Sequence, residues 1–260
     1  MTFAAVAPAA AAPSRVAVRP PLQQPFDVLP LANGHLIVSD LELGHVLDID
    51  PAHNAGRIVG TIREARELDR LPDGRLLVSS RARVYALDPR TRKATLYATF
   101  RNYLLGIALT PDGWLYGSEN VPGSEMTTIE RIRSGVREVL VPSLHGVHEM
   151  LWTADGSLIL CEAYGGRLLR LDPETRQVTV LATGMKNPSS VVLDPAGGYD
   201  VTEFFGNRIS RVWPDGHVTK LADVYMPGPL ARDSKGRLVG ASMSGEIWRI
   251  VRGAAITIYG

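Results

Sequence analysis

The chain has a single cysteine among its 260 residues. An internal disulfide is therefore impossible, and so is a zinc cage built on several thiolates. It also lacks an excess of charge of either sign. Its 28 basic and 27 acidic residues leave a formal net charge of +1, with no long block of one sign. Nucleic-acid grooves and basic membrane faces need a surplus of Lys and Arg, so neither partner is expected. No apolar run approaches the ~18 residues of a membrane span. No stretch keeps the 3.6-residue apolar period of an amphipathic helix. There is no GxSxG elbow, no phosphate loop and no HExxH; His145-Gly-Val-His148-Glu149 does not fit the last. The opening MTFAAVAPAAAAPS is rich in Ala and Pro, has no basic start, and has prolines breaking its apolar run. It reads as a disordered leader over residues 1–14, ahead of one domain over 15–260, and the expected location is cytoplasmic.

What the chain does have is a repeat. Turn glycines followed by an apolar strand fall at Gly34, Gly74, Gly113, Gly156, Gly197 and Gly236, at spacings of 40, 39, 43, 41 and 39. Each is a hairpin signal, a glycine suited to positive φ between runs rich in Val, Ile and Leu. A second apolar run follows in every copy, such as RVYALDP or RLLRLDP, and then a last strand such as VTVLATG at 178–184. Four strands per unit at this period predict an all-β fold, a six-bladed β-propeller with four antiparallel strands per blade. Blades stack because none buries its own faces alone. The C-terminal AAITIYG supplies the outer strand of the sixth blade, and RVAVRP at 15–20 is placed beside it as a latch.

The turn glycines also index one rim of the ring. Eight residues before each glycine the inner strand opens, at Phe26, Arg66, Leu105, His148, Ser189 and Gly228. Six residues after it the second strand closes, at Asp40, Ser80, Glu119, Glu162, Glu203 and Ser242. Three of these exit residues are glutamates on consecutive blades. If Glu119, Glu162 and Glu203 converge, they repel one another unless a cation lies among them. Oxygen donors favour Mg²⁺ or Ca²⁺ over a soft metal. His148 is then the natural acid or base, working with Glu162. Phe26, Asp27, Asp40, Arg66, Asn102, Tyr103, His145, Glu149, Asn187 and Tyr225 are the candidate substrate contacts. Leu105, Phe204 and Met226 add apolar lining, which favours a partly hydrophobic molecule over a bare sugar acid. A second reading stays open for the exit acids: each can accept hydrogen bonds from backbone N–H groups of a nearby turn. Cys161 precedes Glu162 on one strand and so points the other way, into a packed face.

The stretches TEFFGNRISRVWPDG (202–216), CEAYGGRLLRLDPET (161–175) and VSDLELGHVLDIDP (38–51) resemble blade cores of the six-bladed calcium-dependent phosphotriesterase-like propellers. That superfamily takes in streptogramin B lyases, regucalcin and gluconolactonases, and strictosidine-synthase-like proteins. The texture of the blades, and a histidine fourteen residues before a blade glutamate (His148 and Glu162), is most similar to the lyase branch. That resemblance implies Mg²⁺ and a proton-abstracting histidine. Leu105 and Ser189 occupy the positions where the lyases bring a second histidine. Resemblance to the regucalcin branch implies a metal-binding carboxylate at the first blade entry, where only Asp27 stands, with Asn102 and Asn187 as partners. The expected function is a small-molecule enzyme at one mouth of the ring, a divalent-metal-assisted lyase or hydrolase that eliminates, opens or closes a ring, or cleaves an ester or lactone. The alternatives are a propeller that binds a ligand or protein without catalysis, and a metal-free propeller that folds a natural product.

Overall fold

The computed structural model describes residues 20–260. Among them there are 24 strands, β1–β24 in chain order, in six four-stranded sheets and no helix. Blade four shows the common plan. Strands β13 (Val147–Trp152), β14 (Leu158–Glu162), β15 (Arg167–Leu171) and β16 (Val178–Ala182) pair antiparallel in sequence order. The other five blades repeat it, and their inner strands are β1 (Pro25–Pro30), β5 (Leu68–Arg70), β9 (Leu104–Leu109), β17 (Pro188–Leu193) and β21 (Pro227–Arg232). All six indexing glycines have φ between +74° and +93°, the left-handed region that the hairpin turn demands. The expected fold is thus observed. Residues 1–14, and all of the 15–20 segment except Pro20, lie outside the described residues.

Among the described residues the ring closes without a shared strand. Every strand of blade one comes from the N-terminal side and every strand of blade six from the C-terminal side, with β24 (Ala254–Tyr259) outermost as expected. What joins the two blades is an apolar core. Val28, Leu36, Val38, Leu47 and Ile49 of blade one pack with Ala231, Val239, Ala241, Ile247 and Tyr259 of blade six. The Tyr259 hydroxyl donates to the Pro20 carbonyl at 2.6 Å.

Neighbouring inner strands belong to separate sheets, and side chains stitch them. Asp27 Oδ2 accepts from the Leu68 N–H at 2.7 Å, Asp69 Oδ2 from Leu109 at 2.7 Å, and Ser190 Oγ from Leu230 at 2.9 Å. Hydroxyls of the second strands donate the other way, Ser118 to the Val147 carbonyl at 2.6 Å and Thr202 to Gly228 at 2.9 Å. At one place the strands come so close that only glycine fits. A Cβ on Gly106 would lie 2.6 Å from the His148 carbonyl oxygen. Gly106→Ala is therefore expected to lower stability by about 1–3 kcal/mol in urea unfolding, through displacement of β13. An unchanged midpoint would show that the contact yields freely.

Candidate active site

The exit acids turn out to hold the entry loops. Asp40 accepts from the N–H groups of Gln23 (2.7 Å), Gln24 (3.1 Å) and Leu43 (2.9 Å). Glu119 Oε2 accepts from Arg101 and Asn102, both at 2.7 Å. Glu162 accepts from the His145 N–H at 2.9 Å and is clasped by the Arg167 guanidinium, Nη2 to Oε1 at 2.8 Å and Nε to Oε2. Glu203 accepts from the Lys186 N–H and from Arg208 Nε, each at 2.7 Å, and from the Ser210 hydroxyl. In the turns that follow, glycine leaves room: a Cβ on Gly165 would stand 2.1 Å from Glu162 Oε2. Burial raises the pKa of Glu162 and of Glu203. Hydrogen bonds from Arg167 and His145, and from Arg208, Ser210 and Lys186, outweigh it and hold both below the usual range.

The expected metal set is corrected on these grounds. Glu119, Glu162 and Glu203 are each committed to their own blade, and two of them are neutralised by an adjacent guanidinium. Their donor set does not fit a divalent ion. Among the described residues no group of three His, Cys, Asp or Glu side chains is placed to hold one.

The entry residues do converge. A cavity of about 220 Å³ at this mouth is lined by five of the six entry residues, Phe26, Arg66, His148, Ser189 and Gly228. The reason is a β-bulge. In blade four Val147 faces Glu162 and Glu149 faces Cys161, so His148 is the extra, unpaired residue. The same register shift leaves Phe26, Leu105 and Ser189 over in their blades. A bulge breaks strict alternation and re-aims a side chain, so His148 and Glu149 both line the cavity although they are consecutive.

His148 is enclosed beside Tyr164, ring to ring edge-on at 5.5 Å. Desolvation, with the charge of Arg66 adding to it, lowers its pKa from 6.5 to about 4, so the imidazole is neutral at physiological pH. Arg66 stacks over Phe26 at 4.0 Å and over Tyr103 at 5.0 Å from the ring centroids, and its Nη1 donates to the Tyr103 hydroxyl at 2.7 Å.

One residue deeper the channel narrows to Asp27, Glu67 and Glu149. Glu67 and Glu149 line both the narrow-mouth cavity and a wider one of about 800 Å³ that opens at the opposite end and also holds Asp27 and Asp69. Desolvation raises Asp27 to about 7 against the pull of the Leu68 and Val28 amides. Desolvation, then the charges of Asp27 and Glu149, drives Glu67 well above the carboxylate range. Glu149 is raised likewise, by desolvation and then by Asp27, although Ser190 and the Val191 N–H oppose it. Burial and mutual repulsion thus push all three waist carboxyls upward together.

The remaining expected contacts divide. Asn187 lines the cavity, whereas Asn102 meets Glu119 only through its backbone, and Tyr103 acts by way of Arg66. His145 is exposed, with its backbone on Glu162, and Tyr225, 68% exposed, does not line the cavity. Asp40 is wholly buried and spent on amides. Cys161 is buried as expected, its thiol pushed well up by desolvation. Sequence reasoning had left Glu67, Tyr164, Phe205 and Met243 out of the substrate contacts. The last three follow the exit positions by one or two residues, and extending the rim index that far would have found them.

No family model matches the sequence. Several solved structures share the fold, three of them as follows. A gluconolactonase from Xanthomonas campestris gives a TM-score of 0.75 at 13% identity over 88% of this chain and 86% of its own. Virginiamycin B lyase from Staphylococcus aureus gives 0.66 at 15% over 90% and 84%. The calcium-binding protein regucalcin from Agrobacterium tumefaciens gives 0.70 at 15% over 85% and 82%. The chain has the six-bladed propeller fold of these proteins. In sequence it is similar to strictosidine synthase of Catharanthus roseus, at 28% identity over 136 residues, which are 48% of this chain and 34% of that one.

Two expectations test the site's electrostatics. Glu162→Gln should cost roughly 3 kcal/mol in urea unfolding, because it breaks a charge pair whose acid is wholly buried; unchanged stability would contradict the holding role. The waist carboxyls set a pH trend. The unfolded chain ionises them near pH 4, while the folded chain keeps their protons to higher pH. Their stabilisation is complete below the unfolded pKa and is withdrawn as pH rises, up to about 7 for Asp27. His148 contributes the opposite slope, losing stability as pH falls from 6.5 towards about 4. Glu67→Gln should therefore raise the melting temperature at about pH 8 and leave it nearly unchanged at about pH 4. Equal shifts at both pH values would show that Glu67 ionises normally in the fold.

Proposed function

We propose that the protein is a small-molecule enzyme of lyase type that works at the narrow mouth. His148 accepts a proton from the substrate and a waist carboxyl, Glu149, returns one. The observation that carries this reading is the bulge that sets His148 and Glu149 side by side in one cavity, where desolvation favours the neutral form of each. A base and an acid so placed suit proton removal at one atom and delivery at another, as in elimination with ring opening, or its reverse in ring closure. Apolar walls keep bulk water from competing for the protons. The activities of the similar proteins, a lyase, a gluconolactonase and a synthase, support an enzyme over a passive binder. No step of this reading is routed through a metal. A cytoplasmic location and a small-molecule partner belong to the same proposal, and no helix among the described residues is long and apolar enough to cross a membrane.

The test is turnover across a panel of lactones, cyclic esters and ring-closing precursors, followed by loss of substrate. His148→Ala should abolish the activity found, and Glu149→Gln should reduce it. The rate should fall below about pH 4 as His148 takes a proton, and again on the alkaline side as the waist carboxyls ionise, Asp27 at about 7 among them. A rate that climbs steadily with pH, or a His148→Ala protein of wild-type activity, sinks the proposal. Binding of panel members with no turnover would favour a ligand-binding propeller.

A further inference from the structure

Arg66 has an unusual place among the arginines of this chain. Most are tied to a carboxylate: Arg167 to Glu162, Arg208 to Glu203, Arg211 to Asp200, Arg131 to Glu138. Among the described residues Arg66 has no such partner. Its one hydrogen bond from the guanidinium goes to a neutral phenol, Tyr103, through Nη1. Its Nε is shut off from solvent and has no acceptor at all. A buried N–H without an acceptor is costly and rare, and this one belongs to a cation.

The surroundings fix the side chain rather than satisfy it. The guanidinium is stacked between Phe26 and Tyr103. Its backbone is held from both sides: the Arg66 N–H donates to the Ser79 carbonyl at 3.0 Å, and the Arg66 carbonyl accepts from the Ser39 hydroxyl of blade one. A cation so positioned, with one edge unpaired, is organised before any ligand arrives. The surrounding acids do not pair with it: Glu64, which feels its charge, is ion-paired to Arg81 instead. Glu67 and Glu149 are pressed towards their protonated forms by desolvation and by each other. The field of Arg66 reaches the imidazole, where it helps to keep His148 neutral.

The rest of the cavity wall is apolar or weakly polar: Phe204, Tyr164, Phe205, Pro229 and Met243, with Ser189 and Asn187 among them. Its volume of about 220 Å³ equals roughly seven waters, the size of one small ring and a short substituent. A larger body would continue onto Tyr164 and Phe205, which are 49% and 68% exposed at the rim.

We infer that the ligand of this mouth is a small organic acid, whose carboxylate docks on the unpaired edge of Arg66 and whose aromatic or alicyclic body lies against Phe204, Tyr164 and Met243. Guanidinium suits the class, since its planar edge matches a carboxylate. An amine is disfavoured, because it would meet a cation and protonated acids. A polyhydroxylated sugar acid would find the anion site but too few polar partners for its hydroxyls. The inference rests on the proposed site, not on the reaction assigned to it. It places the carboxylate where Arg66 can draw electron density from the substrate while His148 takes a proton.

The test needs no turnover. Calorimetric titration of the full chain with three probes of one shape, 3-phenylpropanoate, 3-phenylpropanamide and 3-phenylpropylammonium, separates charge from body. The acid is expected to bind about tenfold to a hundredfold more tightly than the amide, and the ammonium not at all. Arg66→Gln should bring the acid down to the level of the amide. If that variant does not fold, Arg66→Lys, which keeps the charge but loses the planar edge, should narrow the gap between acid and amide. His148→Ala should leave the preference in place. Equal binding of acid and amide by the wild type, tighter binding of the ammonium, no heat with any probe, or a preference that survives Arg66→Gln each overturns the inference. An acid preference together with unchanged turnover in His148→Ala would sink the catalytic reading alone, and lost turnover without an acid preference would sink this one alone.

Discussion

A propeller mouth is made of loops, and loops at a mouth have backbone N–H groups with no strand to pair with. The structure depends on how those groups are satisfied. In four blades a carboxylate at the end of the second strand reaches back to the loop that enters the first. Asp40, Glu119, Glu162 and Glu203 take up amides at Gln23, Arg101, His145 and Lys186 in turn. Blade two inverts the polarity, the Ser80 hydroxyl donating to the Arg63 carbonyl at 2.7 Å. Because the loop is fixed at that point, the next few residues cannot slide, and the strand begins with a surplus residue. The surplus residue is the one that enters the cavity. Capping thus sets the bulge, and the bulge sets the site.

The same constraint recurs one level down. Neighbouring inner strands belong to separate sheets, and their facing N–H groups need acceptors inside a channel that offers little water. Asp27, Asp69, Glu149 and Ser190 supply them. A serine does so at no electrostatic cost. A carboxyl does so only by being crowded with other carboxyls, and the crowding is relieved by keeping protons. Asp27 and Glu149 are therefore structural acceptors first, and it is burial in that place, against the pull of the amides, that raises their pKa values. In the proposed reaction those protons are the acid beside His148.

The repeat was legible in the sequence because a hairpin glycine is a local requirement, so six evenly spaced ones report six hairpins. The entry index was legible for the same reason: a fixed distance from a turn is a fixed height in the ring. The error lay in taking same height for same role. Entry and exit residues share the rim, yet Glu162 turns towards its own loop while His148 turns inward, and no pattern of residue types separates the two. Only the register shift between Val147 and Glu149 does so, and a bulge leaves no mark in a strand that already departs from alternation. The guanidinium of Arg167, five residues past Glu162, was a readable hint that the acid was spoken for, as was Arg208 past Glu203. Arg66 offered the reverse hint, a basic entry residue whose neighbouring acids Glu64 and Glu67 were equally good partners on paper. In the fold Glu64 goes to Arg81, and Glu67 turns into the waist.

Residues that hold the mouth and residues that face into it are therefore different sets, and this has a consequence for what the fold can do. Exchange of His148, Arg66 or Ser189 leaves every cap in place, because none of the caps uses their side chains. Exchange of Glu162 or Glu203 disturbs the loop on which those residues stand. Chemistry can change at the entry positions, four of them bulges, at little structural risk, while the caps resist change whatever the chemistry. Proteins with this fold can accordingly differ in substrate and reaction while agreeing in blade architecture. The fold likeness at 13–15% identity is what such a division produces, since the caps that keep the blades in shape are not the residues that face the cavity.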